Sequence, residues 1–237
     1  MPFPLSRAVA PGLVVLESTG STNAELLARG GADRTVLVTL DQRAGRGRLG
    51  RTWSAPAGTS LAVSVLLPGP PSGWIPLEAG LAMCRAVGGL VDGATLKWPN
   101  DVLVHGRKVS GILAEVAPDG RVVVGAGLNL TIPESELPVP TATSLVLEGA
   151  DPEGLADRAL AAYLRELFAI TGTRPADAVA RACSTVGRRV RVDFPDGAAL
   201  VGTATGLDAE GRLEVRTDDG AAHAIAAGDI QHLRDAG

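Results

Sequence analysis

The sequence predicts an α+β fold, a mixed β-sheet backed by helices and followed by a small module of closely spaced strands. Three observations carry this reading. Short β-branched runs recur through the first 130 residues, separated by Ala- and Leu-rich runs of helical length. Beyond residue 187 the texture changes to brief strands punctuated by Asp196-Gly197, Glu210-Gly211 and Asp219-Gly220. Hydrophobic residues make up 46% of the 237, with only three Trp, one Tyr and three Phe, so the core is built from Val, Leu and Ala.

Taken in order, residues 13–17 form an apolar strand. The small polar run 18–23 caps a helix over 24–29. Residues 35–40 are a β-branched strand, 41–53 a Gly- and Arg-rich loop, and 60–67 a second apolar strand. A buried helix is expected over 75–91. Residues 93–98 lead into the turn Pro99-Asn100-Asp101, and His105-Gly106 closes a tight hairpin that pairs Leu103 with Lys108 and Asp101 with Ser110. Strands 109–116 and 121–130 are joined by Pro118-Asp119-Gly120. After a loop over 131–149, Asp151 as N-cap and Pro152 at the first helical position open a helix to 170, and a second helix spans 176–184. Strands at 189–194, 199–207, 212–217 and 222–226 suggest a barrel-like module. The expected division is a domain over 1–185 and a module over 186–237.

Net charge is −4, and the terminal module carries six Arg against nine Asp and Glu, so neither offers a surface for DNA or anionic membrane. No apolar run approaches the roughly 18 residues of a membrane span. Cys84 and Cys183 are widely spaced, with no secretory signal before them, and read as buried, reduced thiols of a cytoplasmic protein. His105, His223 and His232 show no metal-ligand spacing, so no structural metal site is expected. Of 22 cationic side chains only Lys97 and Lys108 are lysines, and they lie within one 12-residue stretch. A compact ammonium and a forked guanidinium are not interchangeable against charged oxygens, so this retention points to a site.

Three segments carry chemistry. Gly45-Arg46-Gly47-Arg48-Leu49-Gly50 satisfies G-x-G-x-x-G, but a proline-containing turn and a strand follow it instead of a helix, which argues against a Rossmann site. Arg43, Arg46, Arg48 and Arg51 fall within nine residues, with no Asp or Glu from 42 to 77 to neutralise them, so the loop is read as an anion clamp. The hairpin from Lys97 to Gly111 gathers two ammonium groups, the Asn100 carboxamide and the Asp101 carboxylate. Gly125-Ala126-Gly127-Leu128-Asn129 ends a strand whose alternate glycines leave one face bare for a flat ligand, with Asn129 offering both donor and acceptor.

Together these residues resemble the biotin protein ligases: Gly20-Ser21-Thr22-Asn23, Gln42 before the 45–53 loop, Lys97-Trp98-Pro99-Asn100-Asp101, Lys108 with Gly111-Ile112-Leu113, and Gly125 to Asn129. The order and spacing match over about residues 13–185, and the terminal module fits the family's SH3-like β-barrel. The resemblance implies a sheet related to class II aminoacyl-tRNA synthetases and lipoate ligases. It also implies a two-step reaction: biotin and Mg-ATP form biotinyl-5′-AMP, and a lysine of a biotin carboxyl carrier domain then takes the biotin.

By position, the resemblance implies that Ser21, Thr22, Asn23 and Gln42 grip the biotin rings. Gly45, Arg46, Gly47 and Arg48 cover carboxylate and phosphates, and Arg51 faces the ATP. Lys108, beside Gly111, stands between the biotin carboxylate and the α-phosphate, with Arg46 and Arg48 as its catalytic companions. Lys97, Asn100 and Asp101 lie on the ATP side, where Asp101 meets the Mg²⁺ that ATP carries. Gly125, Gly127 and Asn129 cradle the nucleotide, and Trp53 is a wall of the site. Leu49 replaces a basic residue of some relatives and is given no phosphate contact. The match begins near residue 13, leaving no room for a winged helix-turn-helix, so a ligase-only type that binds no DNA is expected, as a monomer or weak homodimer. A lipoate or octanoate ligase and a non-catalytic biotin-binding regulator are the competing readings.

Overall fold

The structure, a computed structural model, describes residues 3–194, 196–226 and 228–233. Its elements in chain order are α1 (Pro4–Val9), β1 (Val14–Val15), α2 (Thr22–Arg29), β2 (Val36–Thr39), β3 (Gly45–Arg46), β4 (Thr52–Trp53), β5 (Ser60–Leu67), α3 (Trp74–Gly88), β6 (Ala94–Lys97), β7 (Asp101–Val104), β8 (Arg107–Val116) and β9 (Val122–Asn129). There follow α4 (Leu155–Ile170), α5 (Ala176–Ala182), β10 (Arg189–Asp193), β11 (Ala199–Leu207), β12 (Leu213–Arg216), β13 (Ala222–Ile225) and β14 (Asp229–His232).

Seven strands form one mixed sheet in the order β1-β2-β5-β9-β8-β7-β6, with β1 parallel to β2 and the other pairs antiparallel. The central strands β5 and β9 are buried on both faces, as their continuous apolar runs require. On one face Val63, Val65, Leu67, Val122, Val124, Ala126 and Leu128 join the main core beneath α3 and α4. On the other, Leu37, Leu66 and Val123 pack against Leu26 of α2. That second cluster covers only one end of its face. Further along, the strands present Gly125, Gly127 and Gly111, and the functional cleft opens there.

The predicted α+β sheet is therefore present, with four corrections of detail. The hairpin over 101–111 has a bulge: Leu103 faces Lys108, Val102 faces Ser110 and Asp101 faces Gly111, leaving Val109 as the extra residue. Helix α4 begins at Leu155 with Gly154 as its N-cap at φ 58°, while Asp151 instead accepts a hydrogen bond from the Glu153 amide at 3.0 Å. Helix α3 ends at Gly88, three residues short of the expected 91, and α5 at Ala182, short of 184. Helix α1 was not legible, because its cap is tertiary: the Asp157 carboxylate accepts from the Leu5 and Ser6 amides, both at 2.8 Å.

The C-terminal residues form a five-stranded antiparallel sheet ordered β13-β12-β11-β10-β14, packed around Val190, Val192, Ala204, Leu213, Val215, Ile225 and Ile230. Its fifth strand, β14, had no signal in the sequence. The sheet docks through the turn at 208–211: Trp74 donates to the Ala209 carbonyl at 2.7 Å and Trp98 to the Gly211 carbonyl at 3.2 Å. Both cysteines are buried and unpaired, and burial pushes the Cys84 thiol up to about 11. No described helix is long and apolar enough to cross a membrane.

Candidate active site

The bare face of β8 and β9 is the floor of the cleft. A methyl at Gly125 would overlap the Asn23 carboxamide, and one at Gly127 the Trp53 indole, so both positions need a missing side chain. At Gly111 a methyl would stand 3.2 Å from the Trp53 ring and 3.3 Å from the Lys108 ammonium. The bulge at Val109 makes this possible, because it turns Lys108 and Gly111 to the same side while Val109 points into the core. Lys108 Nζ then lies 2.6 Å from Asp101 Oδ1 and 5.7 Å from the centroid of Trp53.

At one end of the cleft the start of α2 supplies a continuous polar network. Ser21 caps the helix by accepting from the Ala24 amide. Gln42 Oε1 accepts from the Thr22 amide at 2.9 Å, and Ser64 Oγ lies 2.6 Å from Asn23 Oδ1 and 2.8 Å from Thr22 Oγ1. Asn23 Nδ2 donates to Glu115 Oε2 at 2.7 Å. These buried groups hold one another in fixed orientations, which suits a ligand with its own donors and acceptors.

Over the opposite side runs the arginine loop, folded back as the β3–β4 pair. Gly45 lets this hairpin close, since a Cβ there would stand 2.5 Å from both the Gln42 amide nitrogen and the Trp53 carbonyl. The expectation that the arginines lack acidic partners is overturned. Arg46 meets Glu115 at 3.3 Å, Arg51 meets Asp229 at 2.7 Å and Arg43 meets Asp41 at 2.9 Å. Two of those carboxylates come from distant strands, which a local count of charges misses. Arg48 differs from these three: its contact is the Asn100 oxygen at 3.5 Å, and burial is the main influence pushing its guanidinium down, with Asp101 acting in the opposite sense. Burial strengthens the attraction of this cation for an incoming anion.

The resulting cleft is concave and open at its mouth, with polar side chains converging on a glycine floor. Ser21, Thr22, Asn23, Gln42, Arg46, Gly47, Arg48, Arg51, Trp53, Lys97, Asn100, Asp101, Lys108, Gly111, Gly125 and Gly127 all line it. Two expected residues do not. Gly45 supports the hairpin from behind, and Asn129 spends its amide on the Thr143 carbonyl at 2.8 Å. The side chain at position 49 lies outside the described residues. Sequence reasoning missed Thr52, Trp98, Pro99, Ile112, Leu113, Ala126, Gly228, Asp229 and Ile230 in the lining. The last two come from the C-terminal sheet and had no motif to mark them. Asn100 is itself fixed, donating to the Ile112 carbonyl at 2.6 Å. Trp53 Nε1 is buried with no protein partner, which leaves a donor in the wall of the cleft.

Comparisons with known proteins agree with this geometry. Residues 14–129 match the biotin/lipoate A/B protein ligase family, and residues 185–233 match the biotin protein ligase C-terminal domain. The chain is 42% identical to the biotin–acetyl-CoA-carboxylase ligase of Mycobacterium tuberculosis over 94% of this chain and 89% of that protein. It is 31% identical to the bifunctional ligase/repressor BirA of Bacillus subtilis over 87% of this chain and 69% of that protein. Among solved structures, the biotin protein ligase of Aquifex aeolicus in complex with biotin and ATP superposes with a TM-score of 0.77 at 27% identity, covering 94% of this chain and 99% of that one. By sequence over nearly its whole length, and by a fold shared over 94% of the chain, the chain belongs to the biotin protein ligases.

Proposed function

We propose that the cleft activates biotin with ATP as biotinyl-5′-AMP and then passes the biotin to a lysine of a biotin carboxyl carrier domain. The observation that carries this reading is the juxtaposition of Lys108, Arg48 and Arg46 with the hydrogen-bonded Thr22–Asn23–Gln42 network in one cleft. One end suits a small ring with matched donors and acceptors, and the other suits a carboxylate meeting a phosphate.

In the first step the biotin carboxylate attacks the α-phosphorus of ATP and pyrophosphate leaves. Both reactants are anionic, so the barrier is set by their repulsion and by the charge that builds on the phosphoryl oxygens. Lys108 stands where its ammonium can neutralise both groups, and its 2.6 Å contact with Asp101 supports a fixed approach. Arg48 and Arg46 add donors from the loop above. In the second step the uncharged acceptor amine attacks the acyl carbon of the mixed anhydride and AMP leaves. No side chain of the protein becomes acylated.

ATP brings Mg²⁺ with it as substrate. The described residues hold no group of three His, Cys, Asp or Glu that could bind a metal, while Asp101 and Asp229 are carboxylates in the cleft lining. That donor set fits an ion carried on phosphates and met by one or two carboxylates. The division at residue 185 is read as an adenylating domain and a module that completes the cleft with Asp229 and Ile230. Purified protein supplied with ATP, labelled biotin and a carrier domain tests the reading. Label on one acceptor lysine, with none when lipoate replaces biotin, is the expected result. Lipoate transfer without biotin transfer, or biotin binding with no ATP turnover, overturns it.

A further inference from the structure

Outside the lining of the cleft lies a buried carboxylate. The Glu148 side chain is 6% exposed, yet it stands 2.7 Å from Arg107 Nη2, 2.6 Å from Thr143 Oγ1 and 2.9 Å from His105 Nδ1. Burial alone would push this carboxyl up, but the hydrogen bonds from His105, Thr143 and Arg107 bring it below the ordinary glutamate value. It is therefore a fully partnered anion.

The segment it holds is a strap that grips the backbone of Lys108. The Lys108 amide donates to the Thr141 carbonyl at 2.7 Å, and the Thr143 amide donates to the Lys108 carbonyl at 2.8 Å, making a parallel bridge between Lys108 and Ala142. Thr143 is buried, with every polar group engaged: its amide on Lys108, its hydroxyl on Glu148, and its carbonyl accepting from Asn129. Arg107, the residue before Lys108, is held by the same carboxylate oxygen that Thr143 meets. The strap thus takes hold at the place where the β7–β8 ladder is broken by the bulge at Val109, so that hairpin alone does not fix the lysine.

We propose that Glu148 is a positioning residue for Lys108, anchoring the strap through Thr143 and Arg107 so that the ammonium is held in register with the cleft. It touches no substrate. This rests on the reading of Lys108 as the adenylating lysine, and the test separates the two. Displacing a reacting group by about 1 Å can cost about 10²-fold. Glu148→Ala is therefore expected to lower kcat for biotin-dependent pyrophosphate release, per active site titrated by the adenylate burst, by about 10- to 100-fold, with the KM values for biotin and ATP within about twofold of the parent.

Glu148→Gln keeps an oxygen for Thr143 and Arg107 and is expected to recover most of the rate. Thr143→Val replaces only the hydroxyl, by a methyl, and serves if the alanine variant does not fold. Its defect is expected to match. In a Lys108→Ala background either change is expected to have no further effect, since residues that act as a unit are not additive. Additive losses, or a fall confined to the number of active sites with unchanged turnover per site, overturn the positioning role. Full activity in Lys108→Ala alone overturns the underlying reading, and the proposal with it.

Discussion

The indole of Trp98 donates to the carbonyl of Gly211 across the joint between the two sheets, at 3.2 Å, in a position 2% exposed for the tryptophan. Trp98 begins the turn that presents Asn100 and Asp101 to the cleft, so a turn of the C-terminal sheet underpins part of the site. Gly211 has φ 79° and a Cβ there would stand 3.1 Å from Leu77 Cδ1. Trp98→Phe, which keeps an aromatic ring but removes the indole N–H, strands the carbonyl and leaves space in the core, should cost at least about 1–2 kcal/mol in denaturant unfolding. Unchanged stability and unchanged ATP turnover would show that the joint does not support the site.

Lys108 is one of only two lysines and stands on the bare glycine face beside Asp101. Lys108→Ala should slow adenylate formation by roughly 10²–10³-fold, the usual effect of losing one strong transition-state donor. Lys108→Arg should recover little, because the guanidinium fork does not fit the place of a compact ammonium. Near-normal pyrophosphate release by the arginine variant rejects the assignment.

Gly127 has an ordinary backbone conformation, so Gly127→Ala tests space rather than strain. The added methyl would overlap the Trp53 indole and force it off the cleft floor. Titration calorimetry should find binding of biotin or ATP weakened at least about tenfold, with the folded far-ultraviolet signal retained. Parent-like affinity for both ligands would mean that this face is not the ligand bed.

The arginine loop is held by Arg46–Glu115 and Arg51–Asp229, pairs whose arginines are about half exposed, at 50% and 58%. Exposed pairs of this kind contribute at most about 1 kcal/mol, so the loop should open readily in the free protein. Trypsin should cut at these arginines quickly without ligand and slowly with biotin and ATP, when the guanidinium groups exchange carboxylates for the adenylate. Equal rates in both states reject a closing loop. Arg46→Gly should release the intermediate and label nearby lysines indiscriminately.

His232, whose Nε2 lies 3.0 Å from Thr185 Oγ1, has its pKa pushed down to about 4 by burial first, then by Lys97 and Arg188. The unfolded chain binds this proton near pH 6.5. Between about 6.5 and 4 the unfolded state carries more protons, so stability falls as pH is lowered through that window and is intact above it. Melting temperatures should drop more between pH 7 and 5 in the parent than in His232→Gln. Parallel pH profiles would remove His232 from the account.

Much of the site was legible because its signals are local. The alternation of Gly125 and Gly127 with apolar neighbours announced a strand bare on one face, and the structure puts both over the cleft. The pairing of Leu103 with Lys108 followed from the His105-Gly106 turn, and the approach of Lys108 to Asp101 followed with it. The bulge was not legible: nothing in the residue types at 108–111 distinguishes it from a regular ladder, and the burial of Val109 in the core selects it.

The sequence by itself determined the sheet-and-helix architecture, the strand-rich terminal module and most of the polar residues around the cleft, since periodicity, turn chemistry and rare lysines are properties of neighbours along the chain. The tertiary structure decided which charges meet. Glu115 and Asp229 reach the arginine loop from 69 and 178 residues beyond Arg46 and Arg51, and Glu148 reaches Arg107 from 41 residues away. Asn129, read as a ligand contact, was instead claimed by the Thr143 carbonyl. The physical reason is common to all four. A buried or half-buried polar group takes whichever partner the closed chain brings within hydrogen-bond distance, and that choice is made by packing of distant strands rather than by the residues beside it.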